Sequence, residues 1–198
     1  MTSSPLPPWR LLLASASPRR RQLLHGLDLP VELAQVDVDE TPPEGMAAEE
    51  VAEFLARKKA AAWHGTLAAD QVLVTADTTV LLGQLLLNKP VDAADAMRML
   101  GVLAGNEHRV ITGVCLRTRE HTISFSDEAR VRFSPMTTEE MAYYVERYSP
   151  LDKAGAYGVQ DWLGYTTVER IEGSFYTVMG LPLHRVYKAL KELPGPLR

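Results

Sequence analysis

The chain has 198 residues, 46% of them hydrophobic, with 21 Lys plus Arg against 25 Asp plus Glu, a net charge of −4 and a single cysteine, Cys115. A chain of this size buries roughly 70% of its unfolded surface, so neither a disulfide nor a structural metal is needed to fold it. The mild acidity gives no general field for nucleic acid, and no apolar run reaches the roughly 20 residues of a membrane span, which predicts a cytoplasmic protein that meets any polyanion with local charge.

Arg10 followed by Leu11-Leu12-Leu13-Ala14 imitates the start of a secretory leader, but the apolar run is shorter than the about 7–15 residues such a leader needs. Trp9 to Ala14 reads instead as a strand. Ser17-Pro18, an N-cap and a first helical position, opens a helix running to about Gly26. Val31 to Val38 reads as a second strand, and the prolines and glycine of 39–45 as a surface loop. The alanine-rich stretch Ala47 to His64 carries Val51, Phe54, Leu55 and Lys58 or Lys59 at helical spacing, which predicts an amphipathic helix ended by Gly65. Val72 to Val74 and Thr79 to Leu82 are strand-like, and Gly83-Gln84 turns the chain into Leu85 to Leu87 as a hairpin.

Asp92 caps a helix to about Leu103, and two strands follow at Arg109 to Arg117 and Thr122 to Phe133. Thr137 with Glu140 three residues later is a capping box for a helix ending near Tyr148. Ser149 to Gly164 is Gly-rich without a clear period, Val168 to Met179 reads as extended, and Leu183 to Leu193 forms a last helix. Pro5, Pro7 and Pro8, and the Pro194-Gly195-Pro196 tail, predict frayed ends. The fold class is therefore α/β, a mixed sheet with flanking helices, in a single domain over residues 1–198 with its core at about 10–192.

Ser15-Ala16-Ser17-Pro18-Arg19-Arg20-Arg21 places three arginines in the first turn of a helix, against the positive end of the macrodipole, at about 0.3–1 kcal/mol each. An anion reverses that cost. Backbone N–H groups, the Ser15 and Ser17 hydroxyls and guanidinium forks describe a phosphate cradle; a solvated basic turn with Ser17 as a plain cap is the competing reading. The glycines of a Walker loop or a dinucleotide fingerprint are missing.

Asp77 stands inside the apolar run Val72 to Leu82, where a carboxylate is expensive unless paired, hydrogen-bonded or metal-bound. It is a candidate general base or metal ligand; otherwise it is a strand-end residue at a bend, satisfied by Thr78 and Thr79. Glu40 and its neighbour Asp39 offer further oxygens for Mg²⁺ or Mn²⁺. Lys59 and Lys89 add cations, although each alone is weak evidence and Lys59 on its helix reads also as a snorkelling surface lysine. Together these are the parts of phosphoryl chemistry. The five histidines form no i,i+4 pair, one cysteine writes no common zinc site, and Tyr143, Tyr144 and Tyr148 read as helix packing. Tyr157 and Trp162 read either as ligand-flanking or as loop anchors.

The blocks Leu13-Ala14-Ser15-Ala16-Ser17-Pro18-Arg19-Arg20, Glu40, Leu55-Ala56-Arg57-Lys58-Lys59-Ala60, Ala76-Asp77-Thr78, Asn88-Lys89-Pro90 and Gly105-Asn106-Glu107-His108-Arg109-Val110 resemble the Maf family of nucleoside triphosphate pyrophosphatases. So do Pro150 to Gln160, Ile171-Glu172-Gly173-Ser174-Phe175-Tyr176 and Gly180-Leu181-Pro182-Leu183, and the resemblance spans about residues 11–190 in order. It implies a Maf/ITPase-like fold with two lobes around a nucleotide-binding cleft. It also implies a divalent cation and hydrolysis of a nucleoside triphosphate between the α and β phosphates, a house-cleaning activity.

Carried over by motif, Ser15, Ser17, Arg19 and Arg20 bind substrate, Lys59 and Lys89 hold the triphosphate during catalysis, Glu40 and Asp77 face the metal, and Asp77 accepts the proton from water. Arg20, Thr78 and Gln160 are the positions at which this chain looks like the members preferring dTTP and UTP; members acting on 7-methyl-GTP carry Gln after the catalytic Asp. Asp161-Trp162 departs from the small or Gly-rich stretch usual after Gln160, which puts the base pocket in question. The partner is a small nucleotide rather than nucleic acid or membrane, and the resemblance is compatible with a homodimer. Two other readings stay open: a pyrophosphatase of the 7-methyl-GTP type, and a nucleotide-binding regulator of cell division without turnover.

Overall fold

The computed structural model describes residues 5–195, so Pro196 of the expected tail lies outside the described residues. Seven strands form one mixed sheet: β1 (Arg10–Ala14), β2 (Val31–Ala34), β3 (Gln71–Leu82), β4 (Leu85–Leu87), β5 (Glu107–Arg117), β6 (Thr122–Phe133) and β7 (Val168–Glu172). Their order is β2-β1-β3-β5-β6-β7, with β4 paired to β3 off this path. β1 runs parallel to β2 and β3, whereas β4 runs antiparallel to β3, and β7 to β6. The helices are α1 (Pro18–His25), α2 (Val51–Ala62), α3 (Ala93–Leu103), α4 (Thr138–Tyr148), α5 (Trp162–Thr167), α6 (Phe175–Val178) and α7 (Leu183–Glu192).

The chain divides into two compact units. The first comprises the chain up to Asp77, Thr112–Asp127 and the segment from Gly180; the second comprises Thr78–Ile111 and Glu128–Met179. In the first unit, Leu12, Ala14, Leu73 and Cys115 pack with Ala56, Ala60 and Leu67. α2 lies unusually close to β5 because position 113 is glycine: a Cβ there would stand 2.3 Å from the Ala52 carbonyl carbon and the Glu53 nitrogen, and backbone cannot yield as a flexible side chain can. Thr75 Oγ1 donates to the Ala56 carbonyl at 2.6 Å, and Glu53 accepts from Ser124 and Ser126, so α2 is fixed at its first turn and at its middle.

In the second unit, α3 buries Ala96, Met99, Leu100 and Leu103 and packs on α4 and on two 3₁₀ turns at Pro150–Asp152 and Ala154–Ala156. The rings of His108, Phe133 and Tyr157 meet edge to face at centroid distances of 4.8–5.4 Å. The Thr137–Glu140 capping box forms as the sequence predicts.

Six expectations need correction. The second strand stops at Ala34 instead of Val38, and α2 begins at Val51 and stops at Ala62. The two runs around Asp77 are one continuous strand, β3. The Gly-rich stretch runs into α5 at Trp162, and the segment expected to be extended ends in α6 after Glu172. The N-terminal prolines do not mark a frayed end over the described residues, since Leu6 and Trp9 are buried and Trp9 Nε1 donates to the Leu190 carbonyl at 3.3 Å.

Candidate active site

β1 ends at Ala14, and through the small residues Ser15 and Ala16 the chain turns into α1. Ser17 adopts an extended conformation and its Oγ accepts from the Arg20 backbone nitrogen at 3.4 Å, while Pro18 takes the first helical position, where a missing N–H costs nothing. Ser15 Oγ accepts from the Ser17 nitrogen at 3.2 Å and from the Arg20 guanidinium at 3.3 Å. Arg20 Nε donates to the Gly180 carbonyl at 2.9 Å. The cradle residues Ser15, Ser17 and Arg20 are thus brought together, with Arg20 set in place by a carbonyl that no local pattern points to. Arg19 is half-buried on the same turn and Arg21 is exposed. The first turn of α1 carries no acidic residue.

A second cluster joins α2, the loop after β2 and the centre of β3. Lys59 and Asp77 are only 7% and 8% exposed, and Lys59 Nζ lies 2.6 Å from Asp77 Oδ1 and 3.0 Å from Glu40 Oε1. Lys59 is therefore no snorkelling surface residue, and Asp77 is not a bend residue satisfied by its threonine neighbours: it sits mid-strand with a buried ammonium as partner. Such a pair is tolerated in a low-dielectric site only with close geometry. Arg20 ties the two clusters together. Burial pulls its pKa below the ordinary guanidinium value, the charges of Asp77 and Glu40 act in the opposite direction, and neighbouring Arg19 adds to the lowering.

Asp39, offered by the sequence beside Glu40, is turned elsewhere. Its carboxylate accepts from the Thr41 nitrogen at 3.0 Å and pairs with Lys58 at 3.5 Å. These contacts, the Thr41 hydrogen bonds first, hold its carboxyl below the usual range. Among the described residues no group of three or more His, Cys, Asp or Glu converges on one point. What does converge is two carboxylates, Asp77 and Glu40, on a single cationic nitrogen. That donor set fits Mg²⁺ or Mn²⁺, which are commonly held by one or two carboxylates with the remaining positions filled by substrate phosphates and water.

The remaining predicted residues belong to the second unit. Lys89 is exposed just after β4, and the neighbouring Asn88 carbonyl accepts from the Gly155 nitrogen at 3.2 Å, which ties the hairpin end to the 3₁₀ segment. Thr78 is half-buried on β3. Gln160 is half-buried immediately before α5. Tyr157 and Trp162 are loop anchors: Tyr157 Oη and His108 Nε2 are 2.8 Å apart in the core, and Trp162 meets Tyr143 edge to face. Sequence reading gave no role to Gly180 or Gly113 and marked Asp161 only as a departure from the family's pattern. Only Gly113, a lone glycine inside a strand of large apolar residues, carried a signal of close backbone approach.

Residues 10–193 match the family described as Maf-like protein. The dTTP/UTP pyrophosphatase of Porphyromonas gingivalis is 46% identical over 187 residues, covering 93% of this chain and 94% of that protein. The dTTP/UTP pyrophosphatase of Bacteroides fragilis is 46% identical over 186 residues, covering 93% and 96%. That of Flavobacterium johnsoniae is 42% identical over 193 residues, covering 98% and 100%. With the match running through the arginine turn, the Lys59–Asp77 pair and Gln160, the chain belongs to the Maf family.

Proposed function

We propose that the protein is a nucleoside triphosphate pyrophosphatase that hydrolyses dTTP and UTP between the α and β phosphates, releasing the monophosphate and pyrophosphate. The observation that carries this reading is the buried carboxylate of Asp77, 2.6 Å from Lys59 Nζ and within the electrostatic reach of Arg20. Relatives that share 42–46% of their residues are named for this reaction. Thr78, rather than glutamine, after Asp77 supports the pyrimidine preference over the 7-methyl-GTP type.

The chemistry follows from charge. Cleaving the anhydride requires neutralising the departing pyrophosphate, which guanidinium and ammonium groups do, and orienting a water, which a carboxylate does. Ser15, Ser17 and the N–H groups at the start of α1 receive phosphate oxygens, with Arg19 and Arg20 adding forked donors. Lys59 turns from the two carboxylates to the phosphates, and Asp77 then takes the proton of the attacking water, a role worth on the order of 10²- to 10⁴-fold. Glu40 and Asp77 would hold a divalent cation, which would supply charge neutralisation at the phosphates. The roles given by motif to Lys89, and to Thr78 and Gln160 in base preference, belong to the same proposal.

The family match over 10–193 supports reading the chain as a single Maf-like domain. No helix of the described residues is long and apolar enough to cross a membrane; the cytoplasmic location and the homodimer belong to the same proposal. The test is a nucleotide panel with pyrophosphate detection. Release from dTTP and UTP ahead of purine nucleotides and 7-methyl-GTP is expected; binding without release would replace the enzyme with a regulator.

A further inference from the structure

Asp161 occupies the N-cap position of α5, where an aspartate ordinarily accepts from a backbone N–H of the first turn. Its carboxylate makes no such bond. It is engaged elsewhere: Tyr144 Oη is 3.0 Å from Oδ2, and Gln160 Nε2 is 3.1 Å from Oδ1. Lys153 Nζ lies 3.8 Å from Oδ2. The proton directions in this network are fixed by chemistry. The Gly158 nitrogen donates to Tyr144 Oη at 3.0 Å, so the hydroxyl hydrogen is left to point at Asp161. An ionised carboxylate accepts only, so the group of Gln160 facing it is the NH₂. The Gln160 carbonyl, Oε1, therefore points away from Asp161, and it is buried without a hydrogen-bond partner among the described residues.

The packing enforces this arrangement. A Cβ at Gly158 would stand 2.5 Å from Asp161 Oδ2 and 2.8 Å from Gln160 Nε2, so these two side chains close up over a glycine. Without Asp161 the Gln160 amide would present donor or acceptor with little preference. With it, one face of the amide is committed as an acceptor. Gln160 as a whole is half-buried, and its enclosed Oε1 lacks the donor that a base edge beside it would supply.

We propose that Asp161 is a positioning residue that fixes the Gln160 amide with its carbonyl toward the base, so that the site selects pyrimidines bearing an N3–H donor. Uracil and thymine carry that hydrogen; cytosine presents an N3 lone pair in its place, which faces Oε1 acceptor to acceptor. The inference rests on the pyrophosphatase reading and on the assignment of Gln160 to base preference. It gives a physical role to the residue at which the chain departs from its family's usual pattern.

The experiment compares pyrophosphate release from UTP and CTP by the wild type, Asp161→Asn and Tyr144→Phe, with kcat and KM measured separately and folding checked by thermal unfolding. An asparagine can donate to Oε1 or accept from Nε2, so it lets the amide turn either way. The UTP:CTP ratio of kcat/KM is expected to fall at least about tenfold in Asp161→Asn, chiefly through KM. Tyr144→Phe loosens the same network but keeps the Asp161–Gln160 bond, and its ratio is expected to stay within about threefold of wild type. Wild-type enzyme given N3-methyl-UTP, which lacks the donor, provides an arm that needs no variant; turnover at least about tenfold below that of UTP is expected.

An unchanged ratio in Asp161→Asn, an equal fall in Tyr144→Phe, or N3-methyl-UTP turned over like UTP overturns the positioning role while leaving the pyrophosphatase reading intact. Absence of release from every nucleotide by the wild type overturns that reading, and this inference with it.

Discussion

Replacing Lys59 by methionine separates the charge at this centre from the packing around it. Methionine keeps the unbranched stem and removes the ammonium on which Asp77 and Glu40 converge at 2.6 and 3.0 Å. Breaking one side of a buried ion pair costs about 3–5 kcal/mol, because the remaining charge stays desolvated. Asp77, only 8% exposed, bears that cost in full, whereas the Glu40 side chain is 44% exposed and can turn to water. We therefore expect the lower end, about 3 kcal/mol, or a fall in Tm of about 6–12 °C for a chain of this length. Urea titration followed by fluorescence measures it. Millimolar Mg²⁺ should restore part of the loss in Lys59→Met and raise the stability of the wild type less, since two carboxylates then face a site without its resident cation. A loss below about 1 kcal/mol would show that Asp77 does not depend on Lys59, and equal Mg²⁺ shifts in both proteins would refute the fit of this pair to a metal.

Gly113→Ala drives a methyl group into the backbone of α2, so a loss of about 1–3 kcal/mol is expected together with reduced turnover, because α2 carries Lys59; unchanged stability would mean that α2 shifts freely. His108 is driven by burial to a pKa of about 4, against an ordinary value of 6.5, with the charge of Glu107 opposing the shift. The unfolded chain therefore takes up this proton first. Stability is fully present above about pH 6.5 and is lost as pH falls toward 4, by on the order of 3 kcal/mol. His108→Gln, which keeps a hydrogen-bonding group beside Tyr157, should flatten the pH dependence of Tm over that window; an unchanged slope would assign the acid sensitivity elsewhere.

The sequence made legible what is local. The caps at Ser17, Asp92 and Thr137 are all formed, because each is decided by a side chain and a backbone nitrogen within three residues. The span of β6 is also as expected, since alternation along a half-buried strand needs no knowledge of its neighbours. Residues 149–167 resisted reading because short 3₁₀ turns and the positive φ values of Gly155 and Ala156 produce no hydrophobic period. At the site, Asp77 stood out because a carboxylate inside a fully apolar strand demands a partner. Lys59 did not, since a lysine on a helix acquires its burial from what packs on it. The anchoring of Arg20 by Gly180, and of Gln160 by Asp161, depends on folded geometry alone and has no periodic trace.

The central claim is that Asp77 serves as the base in cleaving the α–β anhydride of dTTP and UTP. Its direct test is Mg²⁺-dependent pyrophosphate release from dTTP by wild type and Asp77→Asn, alongside nucleotide binding. Stoichiometric dTMP and pyrophosphate from the wild type, with at least a roughly hundredfold lower kcat and retained nucleotide binding in Asp77→Asn, is the predicted result. Orthophosphate as the product, or near-normal pyrophosphate release by Asp77→Asn, would contradict it.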